Sequence, residues 1–251
     1  MKIKFWGTAA GLAEKDRYCT SVLIEICENF YILDFGAPVE YLIKNDGIDM
    51  SKIKAGFITH MHTDHAASLT SFAKLYAEFT NFIYAPASVD IFMPSGIDAF
   101  KSWLDALNLS MSERMTITKI NEGTFYDDGN LKVSAIPTDH MKAIGQPTYA
   151  FVFEAEGKKV LFTGDLAGDF HDFPIGEHYD LIVCELAHGD VKSVERCVIE
   201  SDCERVIFYH MTTDPFILEK LGVDRTQTLK DASKNFDFSS EFAYDGYETE
   251  V

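Results

Sequence analysis

Short apolar runs of five to seven residues recur along the whole chain and are separated by polar segments. Runs of this length that are rich in Ile, Val, Phe and Tyr predict β-strands. They cover residues 2–6, 21–27, 30–35, 55–59, 81–85, 116–120, 131–136, 149–155, 159–163, 180–184 and 205–209. Helical spacing of apolar residues predicts helices at 66–79, 97–107, 191–201 and 224–236. Strands and helices are therefore mixed throughout the chain.

Polar turn signals show how neighbouring strands are joined. They lie at Glu28-Asn29, Asp128-Gly129-Asn130 and Glu156-Gly157-Lys158. Turns of this kind connect antiparallel strands, while helices interrupt the chain elsewhere, which favours two mixed sheets between helices over a purely parallel sheet. Because no Pro- or Ser-rich linker divides the chain, we expect a single domain over residues 1–251. The stretch from about 88 to 115 could be a lid-like insertion or a surface excursion between strands.

Charge and cysteine content restrict the partners and the compartment. The 40 Asp and Glu residues outnumber the 22 Lys and Arg residues, and the formal net charge of −18 would repel a polyphosphate backbone. Nucleic acid is therefore a disfavoured partner unless a basic or metal-bearing patch overrides the repulsion. There is no signal-peptide pattern or membrane-length apolar segment, and the five cysteines form no Cys-x-x-Cys pair. We expect a soluble cytoplasmic protein without membrane association, and we assign no cysteine to a metal.

The strongest chemical signal is one motif, Thr59-His60-Met61-His62-Thr63-Asp64-His65. It follows an apolar strand and precedes an amphipathic helix, so its four metal-binding side chains can point at one spot. Imidazoles with a carboxylate suit zinc, and manganese or iron can also bind such a set. An isolated histidine is usually a hydrogen-bonded core or surface residue, but three histidines and an aspartate packed this closely indicate a metal site.

Three further apolar strands end in the same kind of residue, because His140, Asp165 and His210 each follow one. Functional groups concentrate at strand ends on one rim of a rigid scaffold. Four such ends would supply five histidines and two aspartates, which suffice for two metals and exceed the needs of one tetrahedral ion. The predicted binuclear site consists of His60, His62, Asp64, His65, His140, Asp165 and His210.

The order and spacing of these motifs resemble the metallo-β-lactamase superfamily, in particular its ribonuclease Z and phosphodiesterase branch. The resemblance includes Phe5-Trp6-Gly7-Thr8, Leu33-Asp34-Phe35-Gly36, the motif from His60 to His65, and Ala243-Tyr244-Asp245-Gly246-Tyr247-Glu248. It implies an α/β (α+β) fold, namely a four-layer αββα sandwich with two mixed sheets.

The resemblance also implies a division of the ligands. His60, His62 and His140 would hold one metal, Asp64, His65 and His210 would hold the second, and Asp165 would bridge the two. Asp34 would hydrogen-bond to ligands without binding a metal itself.

A candidate general acid follows from the same resemblance. In the ribonuclease Z branch, a histidine before the last ligand, assisted by a glutamate, is thought to protonate the leaving group. His188 and Glu185 match this arrangement loosely, and a solvent-facing loop histidine is an equally good interpretation. These two residues and Asp64 are the candidate catalytic residues, whereas His171 and His178 are expected at the surface or the pocket rim.

Two departures from relatives limit the substrate. The chain has no Gly- and Pro-rich segment like the arm with which ribonuclease Z grips transfer RNA, and His62 occupies a position where flavodiiron proteins have glutamate. The resemblance implies a binuclear metal-dependent hydrolase with two divalent ions, zinc foremost. It would be a phosphodiesterase that attacks a small, anionic substrate through a metal-bridging hydroxide. Hydrolysis of a lactone, thioester or amide, or a catalytically silent metal-containing ligand-binding protein, are the alternatives, because the fold alone does not decide.

Overall fold

The structure is a computed structural model. It describes residues 1–79, 87–109, 114–189, 191–212 and 238–251. The predicted strand at 81–85 and the predicted helix at 224–236 lie outside the described residues.

One sheet is formed mainly by the N-terminal half of the chain. Its strands are β1 (Lys2–Gly7), β2 (Ser21–Ile26), β3 (Asn29–Leu33), β4 (Ile53–Phe57), β5 (Val89–Met93), β6 (Met115–Lys119) and β16 (Glu248–Glu250). They lie in the order β16-β1-β2-β3-β4-β5-β6. Neighbours from β16 to β3 are antiparallel, and neighbours from β3 to β6 are parallel. The sheet is therefore mixed, as the turn signals predict.

The second sheet is formed by the C-terminal half. Its strands are β7 (Gly123–Asp127), β8 (Lys132–Thr138), β9 (Thr148–Ala155), β10 (Lys158–Phe162), β12 (Leu181–Glu185), β14 (Val206–Tyr209) and β15 (Ser240–Phe242). Their order is β15-β14-β12-β10-β9-β8-β7, antiparallel from β7 to β10 and parallel from β10 to β15. Two short strands, β11 (His178–Tyr179) and β13 (Asp202–Cys203), pair separately. All three predicted hairpins are confirmed as antiparallel pairs.

Five α-helices complete the described part of the chain. They are α1 (Val39–Asn45), α2 (Thr63–Ala66), α3 (Leu69–Glu78), α4 (Ile97–Ala106) and α5 (Val191–Glu200). The helix predicted at 66–79 corresponds to α3, and the short helix α2 precedes it as a separate element. The two are interrupted at Ser68, whose backbone N–H and Oγ both donate hydrogen bonds to the carbonyl of Phe35. Helix α1 was not predicted. No helix in the described part of the chain is long and apolar enough to span a membrane.

Alternate side chains of the strands enter different apolar cores, as the two-residue strand period requires. Between the sheets, the rings of Phe57 and Phe153 lie 5.5 Å apart in one core. The other face of the first sheet packs against α1, α3 and α4 through residues such as Phe72. The other face of the second sheet packs against α5 through Val194. The predicted αββα sandwich with two mixed sheets is therefore confirmed.

The stretch from 88 to 115 is built into this sandwich. It supplies β5, the first residue of β6, and α4, and Leu104 of α4 is fully buried in the core beneath the first sheet. The described part of the stretch thus does not support a lid-like insertion, and residues 110–113 lie outside the described residues. The single-domain organisation stays a prediction.

Strand direction determines where the chemistry-bearing loops meet. Strands β8 and β10 run the same way because both are antiparallel to β9, and β12 and β14 are parallel to β10. In the first sheet, β1, β3 and β4 share one direction by the same reasoning. The loops after these strands carry Gly11, Asp34, His60, His140, Asp165, His188 and His210. The fold therefore gathers at one edge residues that are far apart in the sequence.

Candidate metal centre

All seven predicted ligands converge at this edge of the sandwich. Their candidate ligand atoms form two groups, in each of which all atoms lie within 4.8 Å of one another. We call His60, His62 and His140 the open group and Asp64, His65 and His210 the closed group. Asp165 is the residue between them.

In the open group, ring nitrogens face each other. His62 Nδ1 lies 3.0 Å from His60 Nε2 and 3.3 Å from His140 Nε2. Asp165 Oδ2 lies 3.6 Å from His60 Nε2 and 3.7 Å from His140 Nε2. Three imidazoles and a carboxylate that point at a common centre form the donor set that zinc and similar divalent metals take.

The closed group faces the other carboxylate oxygen of Asp165. Asp165 Oδ1 lies 3.4 Å from His65 Nε2 and 3.3 Å from His210 Nε2, and Asp64 Oδ2 lies within 3.8 Å of both nitrogens. His65 Nε2 and Asp165 Oδ1 are buried, and neither has a hydrogen-bond partner within the described residues. Buried polar atoms are normally satisfied. A divalent cation fits this place, because it would satisfy both atoms.

A buried pair behind the ligands fixes their orientation. Asp34 is fully buried with its backbone in the left-handed region, and it accepts hydrogen bonds from His65 Nδ1 at 2.8 Å and from the backbone N–H of Thr59 at 2.8 Å. The hydroxyl of Thr59 also donates to Asp34, at 3.0 Å, and lies 3.1 Å from His60 Nδ1. A carboxylate can only accept, so Nδ1 of His65 carries a hydrogen, and in the neutral ring that a metal needs the Nε2 lone pair faces the centre. The predicted hydrogen bond of Asp34 to a candidate ligand is therefore present, and its role in supporting a metal ion stays a prediction.

The electrostatics of the cluster favour added positive charge. Burial acts to lower the pKa of His65, but the charges of Asp165 and Asp34 and the hydrogen bond to Asp34 hold the pKa well above its ordinary value. Burial acts to raise the pKa of Asp165, but the neighbouring His210 and His65 hold it well below its ordinary value. Burial and the neighbouring His65 lower the pKa of His60, which favours the neutral imidazole that a metal needs.

Glu185 and His188 form a second acid–base pair beside the ligands. Glu185 is fully buried, and its carboxylate accepts from the backbone N–H groups of Leu166, Ala187 and His188 at 2.7 to 3.1 Å. It also accepts from His188 Nδ1 at 3.0 Å. Burial acts to lower the pKa of His188, but Glu185 and then Asp165 raise it to about 9. The His188 ring is held firmly, with Nε2 as the nitrogen that can release a proton.

A small cavity of about 210 Å³ opens onto the metal centre. Its lining consists of Ala10, Gly11, His62, Asp64, Asp165, Ala187, His188, His210 and Thr212. The volume is below the range of about 300 to 1,000 Å³ that is common for drug-sized ligands. Because the lining includes His188 together with residues of both groups, a small molecule in this cavity would contact all of them.

Sequence reasoning missed several residues that touch the closed group. Thr20 Oγ1 lies 2.6 Å from His210 Nδ1, and the backbone N–H of Gly11 donates to Asp64 Oδ2 at 2.7 Å. No sequence signal identifies them, because a lone threonine and a backbone amide belong to no motif. The surface positions expected for His171 and His178 are confirmed, since their side chains are about half exposed.

Comparison with known proteins gives one family match and several relatives. Residues 1–194 match the family described as "Anti-Pycsar protein Apyc1". Ribonuclease Z of Bacillus licheniformis is 28% identical over 155 residues, which are 60% of this chain and 48% of the relative. Ribonuclease Z of Mycobacterium marinum is 24% identical over 178 residues, 66% of this chain and 63% of the relative. The chain thus spans about half the length of the first of these curated relatives.

Solved structures resemble the whole chain at lower identity. The metallo-β-lactamase fold protein YhfI from Bacillus subtilis has a TM-score of 0.74 at 16% identity, with 100% of this chain and 99% of that chain covered. The short form of human tRNase Z gives 0.72 at 16%, with 100% and 99% covered. A diphosphatase from the PhnP family gives 0.72 at 13%, with 100% and 97% covered. These likenesses concern the fold.

Proposed function

This chain belongs to the family of the anti-Pycsar protein Apyc1, within the ribonuclease Z and phosphodiesterase branch of the metallo-β-lactamase superfamily, and we propose that it is a binuclear metal-dependent phosphodiesterase for small substrates. One observation carries the proposal. The two oxygens of Asp165 face two separate groups of ligands, and the Glu185–His188 pair stands beside them at the cavity.

The residues fit two divalent ions, zinc foremost. His60, His62 and His140 would hold one ion, Asp64, His65 and His210 the other, and Asp165 would lie between them. Such ions lower the pKa of bound water to about neutral and polarise a phosphoryl oxygen. Asp34 supports the set by keeping the Nε2 lone pair of His65 directed at the centre.

His188 gives the proposal its reaction class. Its Nδ1 is held by Glu185, so its Nε2 can protonate an alkoxide as that group leaves phosphorus. A phosphodiester with an alkyl leaving group needs this proton. A thioester needs it much less, because a thiolate is a weaker base. The buried Glu185 orients the ring and stabilises its charged form.

Substrate size is the second half of the proposal. The relatives named ribonuclease Z do not support the expectation that nucleic acid is disfavoured, and structured RNA is therefore a competitor to test. A net charge of −18 disfavours a polyanion, and a cavity of about 210 Å³ supports a small substrate instead. The positive charge of two divalent ions would attract a single anionic group.

The test is a substrate panel on zinc- and manganese-loaded protein. It includes nitrophenyl and alkyl phosphodiesters, cyclic nucleotides, lactones, thioesters and a structured precursor transfer RNA. We expect small phosphodiesters to have the highest kcat/KM. Cleavage of the RNA at physiological salt with competitive kcat/KM would overturn the size argument, and faster turnover of lactones or thioesters would overturn the reaction class.

His188→Ala tests the acid role separately. Removing a positioned acid costs roughly a hundred- to ten-thousandfold in rate when the leaving group is poor. We expect that loss on alkyl phosphodiesters, little loss on nitrophenyl esters, and unchanged metal content. His171→Ala, at an exposed histidine, is the matched control. Equal losses on both substrates would indicate positioning. Loss of metal would make His188 a ligand, which its place beside Asp165 and His210 makes a real alternative.

A further inference from the structure

The segment between β1 and β2 contacts the closed group in several places. We call residues 8–20 the N-terminal loop. We propose that Thr20 of this loop is a positioning residue that fixes the ring of His210 and thereby controls binding of one of the two metal ions. The inference rests on the proposed function insofar as divalent ions occupy both groups.

The contacts of Thr20 lead to an assignment of the hydrogen on the His210 ring. Thr20 is fully buried, and its Oγ1 lies 2.6 Å from His210 Nδ1 and 3.3 Å from the backbone carbonyl oxygen of Ala9. The carbonyl can only accept, and a metal ion needs the lone pair of His210 Nε2, so we assign the hydroxyl hydrogen to Ala9 and a ring hydrogen to Nδ1. In this assignment the hydroxyl oxygen accepts from His210 Nδ1–H. His210 Nε2 then has a lone pair, 3.3 Å from Asp165 Oδ1.

The same loop also holds the backbone next to His210. His210 is a non-glycine residue in the left-handed region, with φ of 47°, a conformation that persists only when neighbours enforce it. The backbone N–H of Met211 donates to Thr8 O at 2.9 Å, and that of Ala10 donates to Met211 O at 3.2 Å. The N-terminal loop therefore contacts the ring of His210 and holds the backbone of the residue that follows it.

A third contact extends the effect to another closed-group ligand. The backbone N–H of Gly11 donates to Asp64 Oδ2 at 2.7 Å, which orients the carboxylate that faces His65 and His210. Within the described residues, the hydrogen bonds of His62 and His140 involve no residue of the N-terminal loop. Control by the loop is therefore selective for the closed group.

Replacing the hydroxyl of Thr20 should act on one ion. Thr20→Val keeps the branched shape but leaves the Nδ1–H of His210 without an acceptor, so the tautomer with hydrogen on Nε2 gains population. Loss of a partner behind a ligand typically weakens metal binding about ten- to a hundredfold. We expect this loss for one zinc ion and unchanged affinity for the other. Thr20→Ser restores the oxygen and should restore both affinities.

The experiment is a competition titration of the metal-free full chain with Zn²⁺ and a chromophoric chelator. Wild type, Thr20→Val, Thr20→Ala and Thr20→Ser are compared, with thermal unfolding as the folding check. Thr8→Val is the matched control. Thr8 is equally buried in the same loop, and Thr8→Val keeps the backbone carbonyl that accepts from Met211. The hydroxyl that it removes contacts Asp245 and Arg17 and no ligand, so both zinc ions should be retained. Equal losses in Thr8→Val and Thr20→Val would assign the effect to the loop as a whole and overturn the role of the hydroxyl.

A second measurement uses the wild type and therefore does not depend on the folding of any variant. Long-range ¹H–¹⁵N spectra of ¹⁵N-histidine-labelled, metal-free protein should show His210 with hydrogen on Nδ1. Hydrogen on Nε2, or wild-type affinity for both ions in a folded Thr20→Val, would overturn the proposal. Wild-type protein that binds a single zinc ion would contradict the binuclear function, and the tautomer of His210 would still decide the role of Thr20.

Discussion

The open and closed groups use similar donors in different surroundings. In the closed group all three ligands are buried, and the side chains of His65 and His210 are at most 1% exposed. In the open group His60 is buried, His62 is exposed, and the side chain of His140 is 11% exposed. The closed-group ion would therefore be the more enclosed by protein, whereas the open-group ion would lie nearer to solvent. The cavity is lined by Asp64 and His210 as well as by His62, so a substrate would meet both groups.

The supporting contacts follow the same division. Every closed-group ligand has a fixed partner behind it: Asp34 for His65, Thr20 for His210 and Gly11 for Asp64. In the open group only His60 has such a partner within the described residues, through Thr59. Partners behind the ligands fix ring orientation and raise metal affinity. We therefore expect the two ions to differ in affinity and in exchange rate.

The largest effect is expected at the residue that both groups share. Asp165→Ala removes a carboxylate oxygen from each group, so that His60 faces no carboxylate, and His65 and His210 face only that of Asp64. Metal affinity depends more strongly on a direct ligand than on a residue that hydrogen-bonds to a ligand. We therefore expect both zinc ions to bind more than about a hundredfold more weakly, with a corresponding loss of activity. Elemental analysis and zinc titration measure this. Asp169→Ala, at an exposed carboxylate of the same loop, is the control. Loss of one ion alone would show that Asp165 does not bridge.

The sequence was sufficient to predict which residues converge at the candidate metal centre, and it predicted most strands. The convergence is predictable because the motif from His60 to His65 is local and because His140, Asp165 and His210 each follow a short apolar strand. Their role as metal ligands stays a prediction. Strand β5 was not predicted, because the exposed Asp90 interrupts the apolar run of its five residues. Helix α1 has seven residues, too few for a clear helical period.

The contacts of Thr20 and Gly11 could not be predicted from the sequence, because they join residues that are far apart along the chain. Thr20 and His210 are 190 positions apart, and Gly11 and Asp64 are 53 apart. A single threonine or a backbone amide has the same local signature in a turn as in a metal centre. Only the arrangement of β1 and β2 beside β14 and the motif loop brings these groups together, so their roles depend on tertiary structure.

The rate of zinc release tests the difference between the open and closed groups, and the expected effect is of intermediate size. Zinc release into excess chromophoric chelator should show two phases, because the open group has an exposed histidine and the closed group has none. We expect the rates to differ by about tenfold or more, in line with the affinity that partners behind the ligands confer. His62→Ala should abolish the fast phase and retain the slow one. Release of both ions in one phase from the wild type would contradict the division into open and closed groups.

The smallest effect is expected from a backbone contact that connects the loop of the open-group residue His140 to the loop of Asp165. The carboxylate of Asp172 accepts from the backbone N–H of Asp139 at 2.6 Å and from that of Ala167 at 3.1 Å, so it joins the His140 loop to the Asp165 loop. Asp172→Asn keeps the shape but loses one acceptor oxygen. Because Asp172 acts on the backbone beside His140 and touches no ligand ring, we expect zinc at the open group to bind only about three- to tenfold more weakly, below the usual loss for a direct partner.

Lys142→Ala is the control for that variant, since Lys142 bonds to the side chain of the same Asp139 at 2.6 Å but is 73% exposed. An exposed ion pair contributes about 1 kcal/mol or less, so this variant should change neither zinc affinity nor, beyond a small shift, thermal unfolding. Zinc titration of both variants shows whether the affinity depends on the hydrogen bonds of Asp172 between the two loops or on any contact of Asp139. If Asp172→Asn weakened both ions equally, the two groups would be mechanically coupled through Asp165, and the independence that the different burial of the ligands indicates would be wrong.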